Sequence, residues 1–303
     1  MKRNLKDYAV LMLKGMGMGA ADVVPGVSGG TIAFIVGIYD ELINSIKSVG
    51  LDSVKLLIKG KFADFWKQIN GTFMVSILLG IGISVFSLAK IITWLLTDHP
   101  ILVWSFFFGL VLASTWFVSR DIKECNWKTI LGFVAGTAFA YYITVATPAE
   151  TSQSLWFIFL CGAISICAMI MPGISGSFIL VLLGKYFYIM EAVKNLDIKT
   201  LLVFGAGAFI GITSFSRVLS YALKNFRNIT LSVLTGFMLG SLNKVWPWKE
   251  TLEYYTDSHG VQKPLIDTNV LPNEYVWQAV VLMIVGFMLV YILEKISAKS
   301  AER

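Results

Sequence analysis

Apolar residues fall in ten long runs along the chain, at roughly 8–24, 27–46, 71–96, 101–119, 128–147, 154–171, 174–193, 200–223, 229–246 and 276–297. A membrane-spanning helix needs about 20 apolar residues, and several of these runs reach that length. Four do not read as simple spans. The first and second runs, and the sixth and seventh, are short, and each pair is interrupted by Pro-Gly. We therefore expect each pair to form a re-entrant hairpin that enters and leaves the membrane on one side. Residues 51–69 show another pattern: Leu51, Val54, Ile58, Phe62, Phe65 and Ile69 recur every three or four residues, with Lys55, Lys59 and Lys67 elsewhere on the wheel. This spacing predicts one amphipathic helix lying on an anionic membrane surface.

Composition agrees with the periodicity. The chain is 56% hydrophobic and 15% charged, with a mean hydropathy of +0.72. Soluble domains hold about 25% charged residues, so this composition excludes a soluble enzyme, a secreted disulfide scaffold and a disordered chain. The nine tryptophans all lie near segment ends or in connections, as an interfacial belt requires. Cys125, Cys161 and Cys167 are odd in number and lack a CxxC spacing, so they read as small hydrophobes. His99 and His259 fall in polar connections and suggest no metal centre. The basic start resembles a signal peptide, but no A-x-A cleavage site follows, and the segment is kept as structure.

The chain also repeats itself. Val24-Pro25-Gly26-Val27-Ser28-Gly29 returns 147 residues later as Met171-Pro172-Gly173-Ile174-Ser175-Gly176. At that offset Gly15 meets Gly162, Gly37 meets Gly184, and Tyr39 meets Tyr186. Further on, Gly82–Ser87 matches Gly211–Ser216, and Gly109–Ser114 matches Gly236–Ser241. The expected fold is an all-α polytopic membrane protein of two inverted repeats, 1–148 and 149–303. Each has one re-entrant hairpin (about 8–46 and 154–193) and three spans (71–96, 101–119 and 128–147; 200–223, 229–246 and 276–297). Three crossings per repeat force the second copy to be inverted. With both termini cytoplasmic, inner stretches hold 16 of the 25 Lys and Arg residues and outer stretches hold 6. That distribution obeys the positive-inside rule. The net charge of +6 therefore reflects sidedness, and nucleic acid is not expected as a partner.

Inverted repeats with broken helices are a recurrent build of secondary transporters. A helix that begins in mid-membrane presents unpaired N–H groups, which suit an anion. Ser28 and Ser175 stand at the N-cap places, and Gly26, Gly29, Gly173 and Gly176 permit close approach of backbone to a ligand. The expected phosphate site comprises Pro25, Gly26, Ser28, Gly29, Gly30 and Thr31 from the first motif, and Pro172, Gly173, Ser175, Gly176 and Ser177 from the second. Three cations inside apolar segments, Lys14, Lys90 and Arg217, would neutralise the ligand; the competing role for Lys14 and Lys90 is to snorkel to an interface. Asp22 would carry a proton or orient a cation. The small residues Gly15, Gly17, Gly19, Gly205, Gly207 and Gly211 are candidates to line the path. No cofactor is expected beyond coupling to a proton or ion gradient.

The run Gly15-Met16-Gly17-Met18-Gly19-Ala20-Ala21-Asp22-Val23-Val24-Pro25-Gly26-Val27-Ser28-Gly29-Gly30-Thr31, followed by Gly37-Ile38-Tyr39-Asp40-Glu41-Leu42-Ile43, resembles the bacterial polyprenyl-phosphate transporter family. The resemblance extends over the whole chain and includes Pro172-Gly173-Ile174-Ser175-Gly176. It implies a flippase that returns undecaprenyl phosphate from the outer to the inner leaflet of the cytoplasmic membrane, recycling the carrier for peptidoglycan and other envelope polymers. The implied partners are the polyprenyl-phosphate lipid and membrane lipids; a homo-oligomer is left open. The rival is an undecaprenyl-diphosphate phosphatase, whose P-G-x-S-R-S type motif is departed from here. Gly29-Gly30 and Gly176-Ser177 occupy the places of its arginine and serine. An ion channel or exchanger would also use half-helices, but nothing in the sequence argues specifically for one.

Overall fold

The structure is a computed structural model and describes residues 3–24, 27–148, 151–152, 154–256 and 262–301. Fourteen helices and one two-stranded sheet are found among the described residues. Helix α1 (Leu5–Asp22) starts at a capping box in which Asn4 and Asp7 satisfy each other's backbone N–H. Next come α2 (Gly29–Ile35) and α3 (Tyr39–Ser48), then α4 (Leu51–Ile58) and α5 (Phe62–Gln68). The long helices α6 (Gly71–Asp98), α7 (Pro100–Arg120) and α8 (Trp127–Val145) complete the first half. The second half runs α9 (Leu155–Ile170), α10 (Gly176–Leu182), α11 (Tyr186–Lys194), α12 (Ile198–Asn225), α13 (Arg227–Ser241), β1 (Lys249–Thr256), β2 (Gln262–Asn269) and α14 (Val276–Ala301).

Five helices, α6, α7, α8, α12 and α14, are long and apolar enough to cross a membrane, or six elements if the bent pair α10–α11 counts as one span. The chain is a mostly helical multi-pass membrane protein.

Three expectations about element bounds, and the all-α fold class, need correction. The runs 27–46 and 174–193 are each two helices, broken at Gly37 (φ +70°) and Gly184 (φ +62°). That backbone region favours glycine, and these two residues occupy equivalent places in the repeat. The second break turns the chain by 109°. The helix expected over 51–69 is likewise split at Gly60 (φ +69°); Ile58, Phe62 and Trp66 remain exposed, as an interfacial element would leave them. The run expected over 229–246 is a 15-residue helix that begins at Arg227 and ends at Ser241, about 22 Å long at 1.5 Å per residue. Finally, the connection 247–275 contains an antiparallel hairpin, with Lys249 opposite Asn269 and Thr256 opposite Gln262. Its strands lack a clean apolar alternation, which is why periodicity did not find them.

Close helix packing follows the sequence repeat. The most extensive contacts pair α1 with α6, α9 with α12, α7 with α14 and α8 with α13. The last two pairs cross between the halves. A Cβ at Gly109 would strike the Met283 carbonyl and one at Gly286 the Phe106 carbonyl; at the other pair, Gly236 faces the Phe133 carbonyl and Gly136 the Val233 carbonyl. A shift of 127 residues carries Gly109 and Phe106 onto Gly236 and Val233, and a shift of 150 carries Gly136 and Phe133 onto Gly286 and Met283. Such small-residue contacts let backbones approach where lipid offers no hydrophobic drive for helix association.

Polar contacts mark two faces. On the N-terminal face Arg3 grips Glu41 with two bonds of 2.6 Å, Asn70 donates to Glu41 at 2.8 Å, and Arg227 meets Asp40 at 3.1 Å. On the hairpin face Asn243 donates to Thr144 at 2.8 Å, Asn269 donates to the Asn243 carbonyl at 2.9 Å, and Trp246 Nε1 donates to the Val270 carbonyl at 2.9 Å.

Candidate functional site

The two Ser-Gly motifs meet directly. Ser28 is the N-cap of α2: its Oγ accepts from Gly30 N at 3.1 Å and donates to the Met169 carbonyl, at the end of α9, at 2.7 Å. Thr31 Oγ1 accepts from Gly173 N at 3.1 Å, and Tyr39 Oη donates to the Ile170 carbonyl at 3.0 Å. Gly30 lies so close to Ile170 that a Cβ there would come 2.7 Å from its carbonyl oxygen. Three side chains of the first half thus satisfy the backbone where α9 ends and the chain turns through Gly173 (φ +86°). Polar backbone broken at membrane depth requires such partners. Ser28 and Thr31 are each only 1% exposed, so the junction is closed.

The halves do not use their equivalent residues alike. Asp22 Oδ1 accepts from Gly29 N at 2.7 Å, so its carboxylate serves the start of α2. Ser175 makes no cap bond; its hydroxyl pairs with that of Ser177 at 2.9 Å. Both α2 and α10 are seven residues long, two turns each. Their aligned dipoles are therefore short, and hydroxyls and close backbone supply most of the polarity here.

Expected site residues separate into three groups. Ser28, Gly29, Gly30, Thr31, Pro172, Gly173, Ser175, Gly176, Ser177 and Asp22 lie in the two motif segments that form the junction. Pro25 and Gly26 lie outside the described residues, as does the side chain of Lys90. Lys14 and Arg217 bind elsewhere. Lys14 Nζ donates to the Val36 carbonyl at 2.6 Å, closing the end of α2. Arg217 is exposed and donates to the Thr213 and Val49 carbonyls, both at 3.1 Å. It sits at the end of α3 because a long side chain on α12 reaches the carbonyl left free there. Gly15, Gly19, Gly207 and Gly211 face neighbouring helix backbone at clashing distance for a Cβ. They are packing residues rather than a path lining.

Sequence pattern included Thr31 in the site but missed Tyr39 as a cross-junction partner, although the Tyr39–Tyr186 match was a signal. It also missed a cavity of about 330 Å³ on the N-terminal face, lined by Asp40, Asn44, Lys47, Ser220, Lys224 and Arg227 among others. There Lys47 donates to Ser220 at 3.1 Å, and Ser220 donates to Asn44 at 3.0 Å.

The chain matches, over residues 18–263, the model of a family described as undecaprenyl phosphate translocase-like. It is 47% identical over 302 residues to a protein of Vibrio cholerae serotype O1 named polyprenyl-phosphate transporter, covering 97% of this chain and 98% of that one. A Staphylococcus aureus protein of the same name is 30% identical over 257 residues, covering 78% of this chain and 85% of that one. No solved structure matches. With a family match over most of its length and a near-full-length relative, the chain belongs to the undecaprenyl phosphate translocase-like family.

Proposed function

We propose that this protein transports polyprenyl phosphate, returning the undecaprenyl carrier from the outer to the inner leaflet of the bacterial cytoplasmic membrane. The observation that carries the reading is the 47% identity, over nearly the whole chain, to a polyprenyl-phosphate transporter. In this reading residues 1–148 and 149–303 are inverted repeats, each with a re-entrant hairpin, and both termini are cytoplasmic. The reciprocal glycine contacts, related by shifts of 127 and 150 residues, support the repeat, and the bend at Gly184 supports the hairpin.

The phosphate would cross where the motifs meet. Passage requires the junction to open, breaking the bonds that Ser28 and Tyr39 donate and Thr31 accepts across it. Interhelical bonds in membranes are worth about 0.6 kcal/mol on average and about 1.7 at most. Three together cost about 2–5 kcal/mol, a gap that differential binding of a charged headgroup can overcome. Backbone N–H groups and hydroxyls released on opening would then take phosphate oxygens. The cavity around Lys47, Lys224 and Arg227 gives the arriving headgroup a basic surface on the N-terminal face. Hydrolysis is disfavoured because the Ser28 hydroxyl donates to a carbonyl and that of Ser175 to or from another hydroxyl, so neither is paired with a base.

The test is vesicles of the purified protein loaded with labelled prenyl phosphate in one leaflet. We expect protein-dependent movement to the other leaflet with the lipid chemically unchanged. Absence of movement, or release of inorganic phosphate from the prenyl diphosphate, would overturn the proposal.

A further inference from the structure

We propose that Lys244 and Lys249, with the apolar slot beside them, form a docking site on the hairpin face that takes up a phosphate monoester carrying a prenyl chain before it reaches the junction. This rests on the transport reading above and assigns its first binding step.

Two adjoining cavities carry the argument. The polar one, about 350 Å³, is lined by Lys244, Lys249, Asp267 and Thr144 and reaches Phe178 and Val181 of α10. The apolar one, about 810 Å³, runs between α8 and α13 past Phe133, Val134, Ala138, Leu239, Trp246 and Leu271. Tyr141, Asn243 and Asn269 line both, so the two spaces lie side by side. A charged head beside a long apolar chain is the shape such a pair accommodates. A free anion would have no use for the slot.

The lysines are held but not neutralised. Lys249 Nζ lies 4.0 Å from the Trp104 ring centre and donates to the Lys244 carbonyl. Lys244 Nζ lies 4.5 Å from the Phe178 ring centre. Neither forms an ion pair among the described residues. The carboxylate facing them, Asp267, accepts from Thr251 at 3.1 Å. Aromatic faces return about 0.5–2 kcal/mol to a cation, less than a paired anion would. A phosphate monoester carries about −1.5 to −2 charges at pH 7, which matches the two lysines once the bound anion holds both protonated. Burial, followed by the charge of Lys244, pulls Lys249 down to about 7, with Asp267 opposing. Burial also lowers Lys244. A bound phosphate would relieve both. Because Phe178 follows Ser177 in the second motif segment, a headgroup docked here lies beside the helix that the junction must release.

The experiment is calorimetric titration of farnesyl phosphate, farnesol and inorganic phosphate into the full-length protein in nanodiscs of neutral lipid. Lys244→Met and Lys249→Met keep the side-chain stems and remove the charges, and Lys249→Arg restores one. Ala138→Trp fills the slot from an exposed position and leaves the lysines in place. Each variant is checked for a monodisperse elution profile. We expect farnesyl phosphate alone to bind, with the double methionine variant weaker by about tenfold or more, equivalent to about 1.4 kcal/mol. Lys249→Arg should bind like the parent protein, and Ala138→Trp should weaken binding. Equal binding by folded double-methionine and Ala138→Trp variants would overturn the docking site while leaving transport standing. Inorganic phosphate binding as well as the lipid would overturn the lipid assignment in favour of a free-anion site. A parent protein that neither binds farnesyl phosphate nor moves prenyl phosphate between leaflets would remove the transport reading itself.

Discussion

Alanine at Ser28 and alanine at Ser175 should have unequal costs, although the two serines are equivalent in the repeat. Ser28 caps α2 through Gly30 N and also bonds the Met169 carbonyl. Loss of a serine N-cap costs about 1 kcal/mol, and loss of a bond between membrane helices about 0.6–1.7 kcal/mol. Their sum puts Ser28→Ala at about 1.5–3 kcal/mol. Ser175 caps nothing and bonds only the Ser177 hydroxyl. Its removal should cost below about 1 kcal/mol, the net worth of one ordinary hydrogen bond. The assay is unfolding in mixed micelles by titration with a denaturing detergent, followed by far-UV circular dichroism. Thr31→Val is the companion, since it keeps the side-chain shape but leaves Gly173 N without its acceptor; we expect about 1–3 kcal/mol. Equal costs at Ser28 and Ser175 within about 0.5 kcal/mol would refute the asymmetry of the closed junction.

Glycine substitutions should divide by position. Leucine at Gly286 or Gly136 places a side chain against the Phe106 or Val233 carbonyl and should destabilise by about 1–3 kcal/mol or more, seen as early unfolding in the same titration. Alanine at Gly82 or Gly205, where a Cβ meets nothing within 4 Å, should be neutral or stabilising by up to about 1 kcal/mol through helix propensity. Lys249, lowered to about 7 by burial, should be largely neutral at pH 7.5 and should react with a small acylating reagent well before the exposed Lys59 and Lys67. Saturating prenyl phosphate should protect it, and peptide mass spectrometry reads both effects. The linked stability has a definite sign. The unfolded chain keeps this proton up to about 10.5, so the protein should gain stability as pH rises from about 7 towards 10.

Much of the architecture was legible because lipid imposes a simple rule. Long apolar runs become long helices, and α6, α7, α8, α12 and α14 appear where hydropathy placed them, within a few residues. The paired Pro-Gly breaks also identified the segments that meet, since an interrupted backbone in a membrane needs partners. Three things were not legible. The breaks at Gly37, Gly60 and Gly184 lie in otherwise helical patterns, and a lone glycine costs too little to announce a stop. The cations were assigned by their presence in apolar runs, but reach decides their partners: Lys14 closes the end of α2 and Arg217 the end of α3. The hairpin at 249–269 brings Lys249 beside Lys244 and Trp104. That proximity depends on where α13 stops, which hydropathy overran by five residues.

The most direct test concerns the junction itself. In a protein with Cys125, Cys161 and Cys167 replaced by alanine, Ser28→Cys provides one thiol at a position that is 1% exposed in the closed form. A membrane-impermeant charged thiol reagent is applied to vesicles while labelled prenyl phosphate is moving between leaflets. We predict slow reaction at rest, faster reaction during transport, and loss of transport once the introduced thiol is modified. Undiminished movement of prenyl phosphate through protein whose introduced thiol is fully modified would contradict a path through the junction.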